Sequence, residues 1–289
     1  MPLKKVYLTT LILLVTIACP PGMRAAETTD HFASLQKRLI QDRFSAKRIS
    51  ILYRHPSVDF DTRGVSLYFV HQESKLNYDQ FLEPAPIQRA KAYMVDHGPA
   101  LAQAEQAFGV HRHVIAAILL VETRLGTFVG NRPVLNTFSS MAALADPAVR
   151  KSVWNEVAGT TRLTKAKFNA KADQKSRWAY DELKAFLTFT QSENLDPHSI
   201  VGSYAGAMGY CQFLPSNAIK LARDGNGDGR VDLFNHADAI MSVASYLNHH
   251  GWHSGITREN AYKPVYHYNH SKYYVNTVLK IVDALRGSA

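Results

Sequence analysis

Hydrophobic positions recur mostly every three or four residues along this chain, which is the spacing of one face of an α-helix. Strand-like alternation of apolar and polar residues is scarce. The pattern therefore predicts a mainly α fold. The segments with helical spacing are 31–49, 86–108 with a division at Pro99, 113–126, a short stretch within 131–144, 178–191, 237–250 and 273–285.

One stretch, 59–77, departs from helical spacing and predicts a short strand or extended arm. Its alternating positions are Val65, Leu67 and Phe69 on one side, and Ser66, Tyr68 and Val70 on the other. We place it in an N-terminal helical and extended segment, 27–85, ahead of a main domain at 86–289. Within that domain, 146–177 reads as a charged helical insertion, mostly solvated, with Trp154 and Phe168 as its only large anchors.

The most informative helix covers 113–126, because a single carboxylate, Glu122, interrupts its apolar run near the end. Gly126 is placed to end that helix in a left-handed conformation. Burial of Glu122 would raise its pKa and make it a proton donor at neutral pH. The alternative is that Glu122 lies on the polar stripe of the helix with Thr123 and pairs with Arg124 or another base.

The first 26 residues have the pattern of a secretory signal. Two lysines precede an apolar core, a Pro-Pro-Gly break follows it, and Ala25-Ala26 offers a cleavage site. This indicates export to the periplasm. The sequence around Cys19 loosely resembles a lipoprotein box, so a lipid anchor at Cys19, with outer-membrane association, stays open as an alternative.

Removal of the signal lowers the formal charge from +9 to +6, and Cys211 remains as the only cysteine. An intramolecular disulfide is then impossible, and the fold must depend on its core. A basic exported surface favours anionic polymers such as cell wall. No basic-aromatic pattern indicates nucleic acid. We expect a monomer.

A glycine-rich turn segment covers 202–216 and supplies the second set of candidate residues. Tyr204, Tyr210 and Phe213 offer flat rings on which sugars stack, and Gln212 carries an amide for hydrogen bonding. Closely spaced glycines suit a backbone that turns sharply against a polymer. The alternative is that these aromatic residues are core and these glycines are ordinary turns.

The segments VETRLG (121–126) and GSYAGAMGYCQFLPS (202–216), in this order, resemble the membrane-bound lytic murein transglycosylase B family. The resemblance extends from about Pro86 to the C-terminus, leaving the first third and 146–177 outside. It implies a lysozyme-like fold acting on peptidoglycan glycan strands, without an organic cofactor. Leu125 stands where the family commonly has Trp, and Cys211 where it commonly has Gly.

The resemblance also implies roles for individual residues. Glu122 would be the sole catalytic acid and base. The residues that would line the glycan cleft are Ser203, Gln212, Tyr268 and Asn269. Cleavage would then be non-hydrolytic, at the β-1,4 bond between N-acetylmuramic acid and N-acetylglucosamine, leaving 1,6-anhydromuramoyl ends. Glycoside hydrolases ordinarily need two carboxylates. A hydrolytic muramidase on the same fold and a non-catalytic peptidoglycan-binding protein are the alternatives.

The segment 224–238 matches the first half of an EF-hand loop and predicts a structural Ca²⁺ site. The match fails at position 12, which is Asn235, and in the resembled family a lengthened loop places the closing acid at position 15. The expected ligands are Asp224, Asn226, Asp228, the carbonyl of Arg230 and Asp238. A tight turn with solvated acids is the alternative.

Five histidines lie near the C-terminus, but no carboxylate or cysteine joins them at helical ligand spacing, so we do not favour a metal site there. Through the resemblance, the run 266–270 is instead one rim of the sugar cleft. These histidines are His249, His250, His253, His267 and His270.

Overall fold

Helices dominate the computed structural model, which describes residues 30–70 and 77–287. The mainly α prediction is confirmed. The predicted signal segment and Cys19 lie outside the described residues. The chain from His31 onward forms one compact unit.

Thirteen α-helices and one short 3₁₀ helix (Asp79–Leu82) lie within the described residues. The helices are α1 Ala33–Gln41, α2 Ala46–Arg54, α3 Thr62–Val70, α4 Pro84–Asp96, α5 Gly98–Phe108, α6 Arg112–Thr123, α7 Val134–Ala143, α8 Pro147–Val157, α9 Lys165–Ser192, α10 Pro215–Leu221, α11 His236–His249, α12 Arg258–Tyr268 and α13 Lys272–Arg286. Two two-residue strands, β1 (Arg132–Pro133) and β2 (Val201–Gly202), pair antiparallel with Arg132 opposite Gly202.

Several helix starts are fixed by side chains that accept a main-chain N–H of the first turn, which satisfies a donor that has no partner inside the helix. A polar cap of this kind stands at the start of α2, α8, α9, α11, α12 and α13. The capping residues are Ser45, Asp146, Thr164, Asn235, Thr257 and Ser271.

The short strand or extended arm predicted within 59–77 is wrong over the residues that the structure describes, because Thr62–Val70 forms α3. Residues 71–76 of that prediction lie outside the described residues. Val65 and Phe69, four residues apart, are 2% and 6% exposed and face the same way into the core. The ring of Phe69 packs against that of Phe168, with centroids 4.8 Å apart. Helical packing therefore buries both side chains on one face.

The segment 146–177 is anchored more firmly than its charge indicates. Three valines of α8, Val149, Val153 and Val157, are buried, as is Phe168 of α9. Helix α9 also runs without a break through residue 177 to Ser192. Smaller buried residues thus add to the two large anchors that were expected, Trp154 and Phe168, and the predicted boundary at 177 falls inside a helix.

Helix α6 lies at the centre of the fold, where it packs against α4, α5, α11 and α13. Its residues from Val114 to Leu120 are completely buried. Burial on every side explains why this helix is apolar all round rather than along a stripe. Its end therefore has a rigid position.

Other boundaries follow the sequence closely: α11 starts one residue before the predicted 237, and α13 spans the predicted 273–285. The predicted helix 31–49 is two helices, because Arg43 adopts a left-handed conformation (φ 71°) between α1 and α2. Helices α10 and α12 were not predicted. Among the described residues, no helix combines the length and apolar character needed to cross a membrane.

Candidate active site

Glu122 is the second-last residue of α6 and is half-buried. The seven completely buried positions that end at Leu120 hold the helix in the core, while Glu122 lies where the helix emerges from it. The buried apolar part of α6 thus fixes the position of one carboxylate, that of Glu122, at the edge of the core.

The chain turns sharply after Thr123. Arg124, Leu125 and Gly126 all have positive φ, at 51°, 64° and 89°. The predicted stop at Gly126 is therefore wrong by two residues: helix α6 ends at Thr123, and Gly126 is the third left-handed residue. Non-glycine residues in this conformation cost of order 1–3 kcal/mol each, and such strain collects at functional sites.

The hydroxyl of Thr123 secures this turn, and the residue is only 1% exposed. It donates to the carbonyl of Tyr210 at 2.8 Å and accepts the N–H of Gly126 at 3.0 Å. One hydroxyl thus binds the end of α6 both to its own turn and to the glycine-rich loop.

Tyr274 of α13 donates its hydroxyl to Oε1 of Glu122 at 2.7 Å. Its ring is 1% exposed, lies parallel to that of Tyr268 and meets that of Tyr78 edge-on. Burial, followed by the charge of Glu122, raises the pKa of Tyr274 well above 10. Tyr274 therefore keeps its proton throughout the neutral range, and its hydroxyl remains a hydrogen-bond donor to Glu122.

Sequence reasoning missed Tyr274, which is 152 residues from Glu122. The only available signal was its place on the strongly amphipathic helix α13, which also fits an ordinary core residue.

The glycine-rich loop that follows β2 is held mainly by its own backbone. Oγ of Ser203 accepts the N–H groups of Ala205 and Ala207, and Met208 forms bridges with Gly202 and Phe213. Ser203 therefore stabilises the conformation of the loop through these two hydrogen bonds. Its side chain is half-buried.

Gln212 ties this loop to the segment that follows α6. Its Nε2 donates to the carbonyls of Val129 and Gly209, at 3.2 and 3.0 Å. Gly130 (φ 90°) lies against Gly202 so closely that a Cβ there would collide with the Gly202 carbonyl. The amide nitrogen of Gln212 is thus used within the protein, where it joins these two segments.

Tyr268 lies close enough to Glu122 for the charge of that carboxyl group to affect it. Its hydroxyl donates to the carbonyl of Cys211 at 2.6 Å, and its pKa is raised well above 10 by burial and then by the charges of Cys211 and Glu122. Asn269 is the C-cap residue that follows α12, and it is half-buried. Tyr204 is 36% exposed on the glycine-rich loop.

Tyr210 stacks on His236, with centroids 4.4 Å apart, so one face of its ring is covered by protein. Nδ1 of His236 lies 3.1 Å from the hydroxyl of Tyr93, and the ring of His97 lies 4.4 Å from that of His236. Burial lowers the pKa of both histidines below 6.5. A neutral aromatic cluster thus supports Tyr210 from behind.

Glu122 is the one carboxylate, within the described part of the chain, whose charge acts on all three buried groups around it, Cys211, Tyr268 and Tyr274. The thiol of Cys211 is completely buried, and burial raises its pKa. An acid surrounded by tyrosines and a thiol has the chemistry of a proton donor and acceptor rather than of a carboxylate pair.

The loop at 224–238 has hard oxygen donors of the kind that Ca²⁺ prefers. Asp224 accepts the N–H groups of Gly227 and Gly229, and Gly229, at position 6, has φ 84°. Asp228 accepts the N–H of Arg230 and a hydrogen bond from the amide of Asn226.

Asp238 closes this loop from α11. It is 1% exposed and accepts the N–H groups of Gly225, Asn226 and Asp232. Burial raises its pKa, whereas hydrogen bonds, that of Gly229 first, lower the pKa of Asp224. The oxygen donors of this loop are of the kind that binds Ca²⁺. In this structure, however, the carboxylates of Asp224, Asp228 and Asp238 accept hydrogen bonds from main-chain N–H groups. In the described ranges, no three His, Cys, Asp or Glu side chains gather as a metal-binding set.

The comparisons with known proteins place this architecture in a class. Residues 27–263 match the model of a family described as the transglycosylase SLT domain, so the chain belongs to that family. The match includes the first third and 146–177. The expectation that the resemblance leaves these segments out is therefore wrong, while Tyr268 and Asn269 lie beyond the matched residues.

Among its relatives is membrane-bound lytic murein transglycosylase B of Escherichia coli (strain K12). This protein is 32% identical over 176 residues, which are 61% of the present chain and 41% of the relative. The resemblance to that family is confirmed. The aligned part thus spans about two fifths of the relative's length.

Three solved structures share the fold. Soluble lytic transglycosylase SltB1 from Pseudomonas aeruginosa has a TM-score of 0.71 at 22% identity, covering 88% of this chain and 98% of that one. Escherichia coli Slt35 in complex with calcium has a TM-score of 0.71 at 21% identity, and the match covers 90% of this chain and 93% of that one. Pseudomonas aeruginosa SltB3 in complex with NAG-anhNAM-pentapeptide has a TM-score of 0.69 at 18% identity, and the match covers 88% of this chain and 78% of that one.

Proposed function

We propose that this protein is a lytic transglycosylase that cleaves the glycan strands of peptidoglycan without water. The observation that carries the proposal is the hydrogen bond from Tyr274 to Glu122 at the end of α6, in a chain of the transglycosylase SLT family. The related SltB3 has been crystallised with a fragment that contains an anhydro sugar and a pentapeptide. Such a fragment is the type of product that the proposed reaction releases.

Glu122 acts first as the acid and protonates the oxygen between N-acetylmuramic acid and N-acetylglucosamine. The acetamido group of the substrate stabilises the oxocarbenium-like centre. The anionic Glu122 then removes the proton from the muramyl O6, which attacks C1 and closes the 1,6-anhydro ring. Proton and charge balance within the substrate and one carboxylate, so water is not consumed.

The other residues position this acid and bind the glycan. Tyr274 holds the carboxylate in one orientation, and donation from its hydroxyl stabilises the anionic form that the ring-closing step uses. Ser203, Gln212 and Asn269 supply polar groups to the sugars, with Gln212 offering its amide oxygen. Tyr204 and Tyr210 provide rings for stacking.

Product analysis by mass spectrometry tests the proposal on purified sacculi. Wild-type protein is expected to give anhydromuramoyl ends, and Glu122→Gln is expected to lose at least about a thousandfold in kcat while it still binds sacculi, since it keeps shape but cannot transfer the proton. Reducing muramic acid ends would identify a hydrolytic muramidase. Binding without turnover by the wild type would identify a non-catalytic wall protein.

We also propose export to the periplasm, where peptidoglycan lies, with a lipid at Cys19 as the alternative to cleavage after Ala26. The pattern of 1–26 and the membrane-bound relative support this placement. Replacement of Cys19 by serine separates the two cases, because only a lipid-anchored form moves from the membrane fraction to the soluble fraction.

A structural Ca²⁺ is the last part of this proposal, with Asp224, Asn226, Asp228, the Arg230 carbonyl and Asp238 as ligands. The oxygen donors and the left-handed Gly229 support it, as does a relative, Slt35, solved in complex with calcium. A ligand bound only by the folded state at a hundred times its Kd adds about 2.7 kcal/mol.

For a domain of this size, that stabilisation raises Tm by about 5–10 °C. Differential scanning calorimetry with Ca²⁺ and with a chelator measures the shift, and Asp224→Ala should remove it. A Tm that responds neither to Ca²⁺ nor to chelator excludes a tight site.

A further inference from the structure

A cavity of about 640 Å³ lies between α2 and the end of α9, formed by residues that the proposed reaction does not use. Its volume falls within the range of sites for small ligands. Its floor is apolar, built from Ile49, Leu52 and Leu187, which are 3–8% exposed. Ile51 stands at its edge, 59% exposed.

The charges that line this cavity leave it positive. Asp42, the one acid among the described residues that line it, already accepts hydrogen bonds from the hydroxyl of Tyr180 and the ammonium of Lys184, at 3.2 and 3.1 Å. Arg43 and Arg48 also line it, and neither guanidinium forms an ion pair or hydrogen bond with any residue that the structure describes. Two free guanidinium groups above an apolar floor suit a ligand that carries carboxylates on a partly apolar body.

The cavity is close to the glycine-rich loop along the chain. His198 forms part of its wall, and its Nε2 lies 3.2 Å from the carbonyl of Leu52, which fixes the wall to α2. Five residues later the chain reaches Ser203. A chain extends by at most about 3.6 Å per residue, so His198 and Ser203 are no more than roughly 18 Å apart. An extended pentapeptide spans about 17 Å on the same basis.

We propose that this cavity binds the acidic peptide stem of peptidoglycan. The inference rests on the proposed function, because it assumes that a glycan strand lies along the glycine-rich loop. A stem that leaves the strand near Ser203 reaches the cavity, where its free carboxylates pair with Arg43 and Arg48. Its methyl and methylene groups lie on the floor formed by Ile49 and Leu187. The cavity thereby makes the enzyme prefer strands that still carry peptides.

The test compares two double variants that remove the same charge. Arg43→Gln/Arg48→Gln alters the cavity, whereas Arg89→Gln/Arg177→Gln alters two exposed arginines elsewhere. Calorimetry measures the binding of a free stem pentapeptide. Initial rates are measured on peptide-bearing strands and on strands stripped of peptide by an amidase.

The cavity variant is expected to bind the pentapeptide about tenfold or more weakly, because it loses charge-assisted hydrogen bonds. Its KM on peptide-bearing strands should rise by a similar factor with kcat unchanged. Its rates on stripped strands, and all properties of the control variant, should match the wild type.

Unchanged pentapeptide affinity in the cavity variant overturns the proposal, as does an equal loss on both kinds of strand. Binding of anionic phospholipid vesicles, but not of the pentapeptide, also overturns it and assigns the cavity to a membrane surface. Failure of the proposed function looks different, since the wild type would then release no anhydro ends from either substrate.

Discussion

Tyr274→Phe isolates the contribution of one hydrogen bond to catalysis. The ring is 1% exposed, and phenylalanine keeps its packing while it removes the hydroxyl that lies 2.7 Å from Oε1 of Glu122. A hydrogen bond to a charged group is worth about 1.5–3 kcal/mol. Each 1.36 kcal/mol of barrier changes a rate tenfold, so kcat should fall by roughly ten- to a hundredfold.

The assay is the rate of anhydromuropeptide release from sacculi, followed across pH. Loss of the donor disfavours the charged carboxylate, so the pH–rate profile should also move to higher pH. Tyr246→Phe is the matched control, because Tyr246 is 7% exposed and its hydroxyl donates to the carbonyl of His267 rather than to an acid. This control should lose about 0.5–1.5 kcal/mol of stability and keep its kcat.

A Tyr274→Phe protein with wild-type kcat and an unmoved pH profile would refute the positioning role of Tyr274. Equal losses of kcat in both variants would do the same, since they would trace the effect to stability. Thermal unfolding of each variant distinguishes these outcomes from simple loss of folded protein.

Two further predictions concern stability. Gly130→Ala forces a side chain onto a residue with φ 90° and against the carbonyl of Gly202. It should cost at least about 2 kcal/mol and lower Tm by roughly 4–8 °C in calorimetry. Burial lowers the pKa of His97 and His236 below 6.5. The folded protein then binds fewer protons than the unfolded chain, so stability should fall as pH drops below 6.5, and His236→Gln should lessen this fall in denaturant titrations.

Gly159→Ala is the control for the first of these, because a Cβ at Gly159 meets no atom within 4 Å. Equal Tm values for the two alanine variants would contradict the close approach at Gly130. A pH dependence that is the same with and without His236 would contradict the second prediction.

The sequence predicted most of the helices because their buried positions repeat at three and four residues. It failed at α3, since Val65 and Phe69 are four apart and fit both a period of two and one turn of a helix. What decided between them was the partner surface, including Phe168, a hundred residues away. Contacts between residues so far apart in the sequence do not affect the local spacing of hydrophobic residues.

The candidate site divides in the same way. A lone acid in an apolar helix signalled Glu122, but nothing near it signalled Tyr274, which reaches it from the last helix. The exact shape of the turn could not be predicted either. Arg124 and Leu125 adopt the left-handed backbone conformation, which glycine adopts readily and other residues rarely do. Tertiary hydrogen bonds such as that from Thr123 to Tyr210 hold them there.

The contacts that join the walls of the site end largely on peptide carbonyls. Thr123, Gln212 and Tyr268 donate to the carbonyls of Tyr210, Val129 and Cys211. Every amino acid offers the same acceptor, so an exchange of side chain at an accepting position leaves the frame in place. Such a frame leaves room for the surface of the loop to change without displacing the proposed acid, Glu122.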